Sequence, residues 1–475
     1  MRDCLSFISR QHLLTMPKPT DIRVLESHVY FLPSNMRVPL KFGPETVHDA
    51  TCVRVRVKVE ARNGRVAEGW GETPLAASWV WPSTLTIAER TERMKAFALR
   101  ASKLLAAFGQ QGHPMELAHD FQHQHLLPAL DALNAELGGH AMPYLGALVV
   151  FSAFDIAVHD AFGRAHECDT YATYNADFMN RDLSAFINAE AVSFAGKYPQ
   201  DYLVMDAPKT LPVWHLVGGV DALEQQDLNG SEPNDGYPVL LADWIQRDGL
   251  KCLKVKLRGT DAAWDFERMQ RIGRIGFANG ARWLSADFNC TVKEPAYVNE
   301  IMDKLLRDEP EIYARTLYVE QPFPYDLEAN QIDVRSVSAR KPLFLDESAH
   351  DWEFVRLGRQ LGWSGVALKT CKTQTGALLS LCWAKAHGMP LMVQDLTNPM
   401  LAMIPHVRLA AHAGTIQGVE CNAMQFYPEA SKPEQAVHPG LYQRRDGVVD
   451  LSTLRGHGFG YREGEIQREL PAEVV

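Results

Sequence analysis

The chain has 475 residues, 46% apolar, 22% charged and 9% aromatic, a composition that supports a large buried core and excludes a disordered or fibrous protein. Lys and Arg total 48 against 58 Asp and Glu, and the net charge of −10 argues for a small-molecule partner, with no nucleic acid and no membrane. Eight dispersed cysteines without a C-x-x-C pair fit neither a disulfide scaffold nor structural zinc, and suit a reducing cytoplasm.

Residues 1–20 begin MRDCLSFISRQHLL, with little basic charge and no apolar run of the kind a signal peptide needs, and read as a loose extension. From about Ile22 to Glu60 the pattern is strand-like, since Val53 to Val59 alternates valine with charged residues, and Asn63-Gly64 reads as a hairpin turn. Residues 85–137 and 147–164 are mostly helical in pattern, so an α+β domain is expected over 21–165. The uncharged stretch from Gly138 to Phe154 holds His140 and Pro143 and is too short to span a bilayer. Residues 166–210, rich in Tyr, Asp and Phe, show no period and read as an insertion.

Beyond Leu211, short apolar runs start at Cys252, Trp283, Thr316, Pro342, Gly365, Pro390 and Ile416, which are 31, 33, 26, 23, 25 and 26 residues apart. Each interval fits a strand, a crossover helix and two loops. Seven such units favour a closed (β/α) barrel over an open sheet, and an eighth strand should precede Lys251, where the sequence does not announce it.

Parallel barrels bind ligands at the C-terminal ends of their strands, so the ionisable residues there carry the functional argument. Asp287, Glu320 and Asp346 end three adjacent strands and can converge on one point, where three anions need a hard divalent cation. Oxygen donors without His or Cys favour Mg2+, with Mn2+ as an alternative. Lys254 and Lys256 are two apart on one strand and share a face, where the charge of one favours the neutral form of the other. Lys369 lies four strands further round, across the barrel from Lys256 with the metal site between, so two lysines can remove and return a proton on opposite faces of a bound acid.

These features sit within local matches that run in order along roughly residues 21–460. They are Gly69-Trp70-Gly71-Glu72-Thr73-Pro74, Phe154-Asp155-Ile156-Ala157 with Gly163, and Leu211 to Gly219. Lys254-Val255-Lys256, Asp287-Phe288-Asn289, Val319-Glu320-Gln321-Pro322, Asp346-Glu347-Ser348 and Leu368-Lys369-Thr370-Cys371-Lys372 follow. The sequence thereby resembles the enolase superfamily, and within it the muconate cycloisomerase-like subgroup of the mandelate racemase/muconate lactonizing enzyme family. The resemblance implies an α/β fold, with a (β/α)7β TIM-type barrel over 211–440, an N-terminal α+β capping domain over 21–165, and a segment at 441–475 returning to the cap. It implies Mg2+ on Asp287, Glu320 and Asp346, Lys256 and Lys369 as bases, and Lys254 tuning Lys256 or neutralising the enediolate. The implied reaction is removal of a proton α to a carboxylate through a metal-stabilised enolate, leading to racemisation or epimerisation, cycloisomerisation or β-elimination of a small carboxylic acid. A cytoplasmic homo-oligomer is expected.

Departures narrow this. The insertion at 166–210 is extra, and Glu420-Cys421-Asn422 stands where dipeptide epimerases of the subgroup carry Asp-x-Asp, so small unphosphorylated carboxylates are favoured over dipeptides. Asp395 replaces the His of a His-Asp dyad, which disfavours a mandelate racemase-like mechanism. The distal group of the substrate is expected to meet the loop at 41–46, the loop after Glu72 and the segment 166–210. Lys372 is expected to be structural or peripheral, and alternation points Glu347 to the other face. A Schiff-base lyase with a nucleophilic barrel lysine, and a non-catalytic barrel binding a metal and an acid, are the alternatives.

Overall fold

Alternation of valine with charge from Val53 to Val59 places four valines on one face, and in the computed structural model of the protein that face is wholly buried. The structure describes residues 17–42, 45–188 and 192–474. Most of the extension, residues 1–16, and parts of the 41–46 loop and of the insertion, residues 43–44 and 189–191, lie outside the described residues. Strands β1 (Ile22–Phe42), β2 (Glu45–Ala61) and β3 (Val66–Pro74) form one antiparallel sheet in that order. Asn63 and Gly64, the latter at φ 83°, turn β2 into β3.

The sheet packs on a helix spanning Tyr144–Ala165. That helix is long and apolar enough to cross a membrane, yet the whole of its apolar window is buried inside the protein, as in the core helix of a cap domain. Contact between helix and β3 is made backbone to backbone: a Cβ on Gly69 would overlap Ala161 and Ala157, and one on Gly71 would overlap Ala153 and Ala157. The glycines of the Gly69-Trp70-Gly71 motif and the alanines at four-residue spacing on the helix are thus one fitted surface.

The barrel closes with eight parallel strands: β4 (Thr210–Val217), β5 (Cys252–Lys256), β6 (Trp283–Asp287), β7 (Thr316–Glu320), β8 (Leu343–Leu345), β9 (Gly365–Leu368), β10 (Leu391–Val393) and β11 (Val419–Glu420), with β11 paired back to β4. The strand missing before Lys251 is β4, the Leu211 to Val217 run, separated from β5 by a loop over 218–240 and a helix at Leu241–Asp248. β12 (Val448–Asp450) pairs antiparallel with the start of β4. The barrel floor is a separate apolar cluster of Trp214, Cys252, Tyr318, Phe344 and Met392.

Between the cap helix and β4, the described residues of segment 166–210 form short 3-10 turns at Thr170–Thr173, Leu183–Ala185 and Pro199–Asp201. It packs between the cap helix Pro114–Phe121, where Arg181 pairs with Asp120 at 2.9 Å, and the barrel helix Met403–Ala413, where Tyr171 stacks on His412 at 3.8 Å. Lys18, inside the segment expected to be loose, donates its backbone N–H to Asn180 at 3.1 Å. The C-terminal segment runs back over the cap: the Phe459 N–H donates to Asp160 at 2.9 Å and the Val474 N–H to Val29 O at 3.1 Å. All seven described cysteines are free thiols.

Candidate active site

Strand register sets the site. Lys256 is level with Asp287, and Asp287 with Glu320, so the K-x-K strand and the first two carboxylates end at one height, with Asp346 one residue beyond β8. Every sequence-predicted site residue is buried there, from Asp287 and Glu320 at 0% exposure to Lys256 at 7%. β5 and β9 stand four strands apart in a ring of eight, which sets Lys256 and Lys369 on opposite sides.

Lys254 is the hub. Its ammonium donates to Glu320 at 2.5 Å and Glu420 at 3.2 Å, and lies 3.1 Å from Asp287. Burial works against its charge, but Glu320, Glu420 and Asp287 outweigh burial and hold its pKa well above the usual lysine range. The three carboxylates hold Lys254 as a cation beside Lys256. Lys256 donates to Asp287 at 2.5 Å and to Asn289 at 2.9 Å. Lys369 pairs with Asp346 at 3.0 Å, donates to the Asp395 carbonyl at 2.9 Å and lies 4.5 Å from the centre of the Trp79 ring. Burial lowers and Asp346 raises its pKa, with a net rise.

Lys372, expected to be structural or peripheral, is buried, donates to the Asp346 carbonyl and lies 3.3 Å from its carboxylate. One residue departs from expectation. Glu347 does not face away: β8 stops at Leu345, alternation ends with it, and Glu347 accepts from Trp79 Nε1 at 3.0 Å and Asn289 at 3.1 Å. Asp395 accepts backbone N–H groups from Asn398 at 2.9 Å and Asn422 at 2.7 Å, tying the ends of β10 and β11.

Among the described residues, no three His, Cys, Asp or Glu side chains are already grouped around one point as metal ligands, because lysines bridge the carboxylates. The donor set nevertheless suits a divalent cation. Asp287, Glu320, Asp346, Glu347, Asp395 and Glu420 are buried against Lys254, Lys256, Lys369 and Lys372, a formal excess of two negative charges. Burial, incompletely offset by Lys254 and reinforced by Asp287 and Asp346, raises the Glu320 pKa well above the carboxylate range, and Oε2 of Glu347 has no hydrogen-bond partner. An excess of that sign and size is what one hard dication neutralises.

Part of this cluster opens into a cavity of about 90 Å³ between barrel and cap. Its inner wall holds Lys254, Lys256, Asn289, Asp346, Lys369 and Glu420, and its outer wall is formed by the β1–β2 hairpin (Met36, Leu40, Val47, Asp49) and the stretch Pro74–Trp79. No described residue of 166–210 lines it, so the described part of that segment, expected to help read the substrate, stands outside the cavity. Sequence reasoning missed Trp79, Gln394 and Tyr427. Gln394 is 2.9 Å from Glu320 and Trp79 caps the cavity above Lys369, and its only signal was an aromatic residue shortly after Gly69 to Pro74.

Residues 239–465 match the family model described as enolase C-terminal domain-like. An aromatic dipeptide epimerase of Herpetosiphon aurantiacus is 26% identical over 286 residues, 58% of this chain and 76% of that protein. The solved N-succinyl Arg/Lys racemase of Bacillus cereus superposes with a TM-score of 0.59 at 16% identity, over 95% of this chain and 99% of the other. A dipeptide epimerase of Cytophaga hutchinsonii, solved with Mg and the dipeptide D-Ala-L-Val, gives 0.56 at 18% identity, over 85% and 88%. At these identities the structural likeness is one of fold.

Proposed function

We propose that this chain is an enzyme of the enolase superfamily, a reading supported by the family-model match and the curated relative, and that it removes a proton α to the carboxylate of a small carboxylic acid and returns or redirects it, as a racemase or epimerase, a cycloisomerase or a β-eliminating lyase. The observation that carries this reading is one cavity lined by Lys256 from β5, Lys369 from the end of β9 four strands away, and Asp346, with Asp287 and Glu320 buried against Lys254 and Lys256. Asp287, Glu320 and Asp346 would hold Mg2+, or Mn2+ in its place. A dication there supplies the positive charge against which a carboxylate can accept a second negative charge as its α-proton leaves.

The chain's own residues do the rest. Lys256 as amine accepts the proton from one face of the α-carbon and Lys369 as ammonium delivers one to the other, and the roles reverse for the opposite enantiomer. Lys254, fixed as a cation by its three acids, adds positive charge beside the site. The cap stretch Pro74–Trp79 and the hairpin cover the mouth and keep water from the carbanion.

Both oxygens of Glu420 are occupied, Oε1 by the Asn422 amide at 2.6 Å and Oε2 by the Asp395 N–H at 2.9 Å and Lys254 at 3.2 Å, which supports an acid without a free ammonium over a dipeptide. Free thiols support a cytoplasmic location, and a homo-oligomer is part of the same reading. The deciding experiment is proton NMR in D2O with Mg2+ over dipeptides, N-acyl amino acids, lactone-forming dienoates and sugar acids. Exchange at the α-carbon is expected in one class, and no exchange in any class overturns the proposal.

A further inference from the structure

We infer that Asp155, His159 and Tyr174 position the turn that carries Lys369, an inference that rests on the role proposed above for that lysine. The turn leaves β9 through a 3-10 segment at Thr370–Lys372, passes Thr373 at φ 69°, a left-handed conformation for a β-branched residue, and enters the helix Gln374–Ala386. Such a turn persists only when its surroundings hold it.

The hold comes from the cap. Asp155, on the helix Tyr144–Ala165, accepts from the Thr375 N–H at 2.8 Å and the Thr375 hydroxyl at 2.9 Å, so a residue 220 positions away caps the first turn of the helix after Lys369. A carboxylate is favourable at a helix N-terminus for its charge as well as for its hydrogen bonds. His159, one turn along the cap helix, lies 2.9 Å from the same hydroxyl through Nε2. The Thr375 proton points to Asp155, so His159 Nε2 is the donor there and Nδ1 accepts from the Tyr174 hydroxyl at 3.0 Å. Tyr174 belongs to the insertion, and with Tyr171 its hydroxyl also receives the Gln374 side-chain amide, at 3.3 and 3.0 Å. Asp155, His159, Tyr174, Thr375 and Gln374 are all buried.

The chain of donors therefore runs from the insertion through the cap helix to the start of the helix behind Lys369. Lys256, on β5, donates to Asp287 and Asn289 on the far side of the barrel. The described part of segment 166–210, outside the cavity, thus acts on the site from behind. A displacement of about 1 Å in a reacting group is enough to cost about 10²-fold in rate.

The test compares the two faces of the reaction in His159→Phe, Tyr174→Phe and the donor-retaining His159→Gln, using both enantiomers of the acid that exchanges in the panel above. In His159→Phe, the saturating rate of α-proton exchange for the enantiomer served by Lys369 is expected to fall about tenfold, with KM and the Lys256-face exchange within about twofold. Backbone amides of 369–377 should exchange about fivefold faster with solvent deuterium, Tyr174→Phe should show smaller changes of the same kind, and His159→Gln should recover most of the lost rate. Equal loss on both faces, a change in KM alone, or unaltered amide exchange in that segment overturns the inference. Should His159→Phe fail to fold, Tyr174→Phe and His159→Gln carry the same comparison. If the wild type exchanges no acid in the panel, the proposed function falls, while amide exchange in the three variants still decides whether these residues hold the turn.

Discussion

The mouth and the floor of the barrel are built from the same eight strands and differ in almost every physical respect. The floor is Trp214, Cys252, Tyr318, Phe344 and Met392, packed together and fully buried. A few residues further along those strands, the mouth buries four lysines and six carboxyls and holds Asn289, Cys290, Gln321, Thr373 and Thr397 at positive φ. Apolar burial stabilises a fold at about 25 cal/mol per Å², whereas buried charges and left-handed non-glycine residues cost free energy. The contrast teaches that the floor and the outer helices supply the stability that the mouth spends on chemistry.

The comparison is broken most directly at the bases. Lys256→Ala and Lys369→Ala should each lower α-proton exchange per folded molecule for one enantiomer by about 10²–10⁴-fold. Equal exchange of both enantiomers by each variant would show that the two lysines do not divide the faces. At the floor the pattern should invert: Met392→Ala is expected to cost about 2–5 kcal/mol in urea unfolding with little change in rate per folded molecule.

Metal sharpens the contrast further. Mg2+ at one hundred times its Kd should stabilise the protein by about 2.7 kcal/mol, read as a rise in calorimetric Tm that a chelator reverses. Asp287→Asn should lose most of that rise, and an undiminished rise would place the ion elsewhere. A pH-dependent effect lies in the cap. Burial raises the Asp160 carboxyl to about 7, so between pH 4 and 7 the folded chain keeps a proton that the unfolded chain has released. Stability from this group is present at low pH and declines as pH rises, by at most about 1.4 kcal/mol per unit, levelling off above pH 7. The difference between wild type and Asp160→Asn in urea midpoint across pH 4 to 8 should trace that slope, and a pH-independent difference would refute it.

Much of this was legible in the sequence because it is local. Alternating valines fix a half-buried strand, recurrent apolar runs at strand-plus-helix spacing fix a closed parallel barrel, and carboxylates just past three of those runs must meet at one end of it. β4 escaped because Leu211 to Val217 is followed by a long loop instead of a helix at the usual spacing. Glu347 was misplaced because alternation holds only while a strand lasts. Direction along a strand can be read from order, but partnership across 220 residues cannot: Asp155 capping Thr375, Trp79 over Lys369 and Lys254 surrounded by three acids arise only when cap and barrel are docked. The sequence by itself determined which groups reach the barrel mouth. Tertiary structure decided which of them share a charge, because electrostatic partnership depends on distances of a few ångströms between residues that chain order leaves far apart.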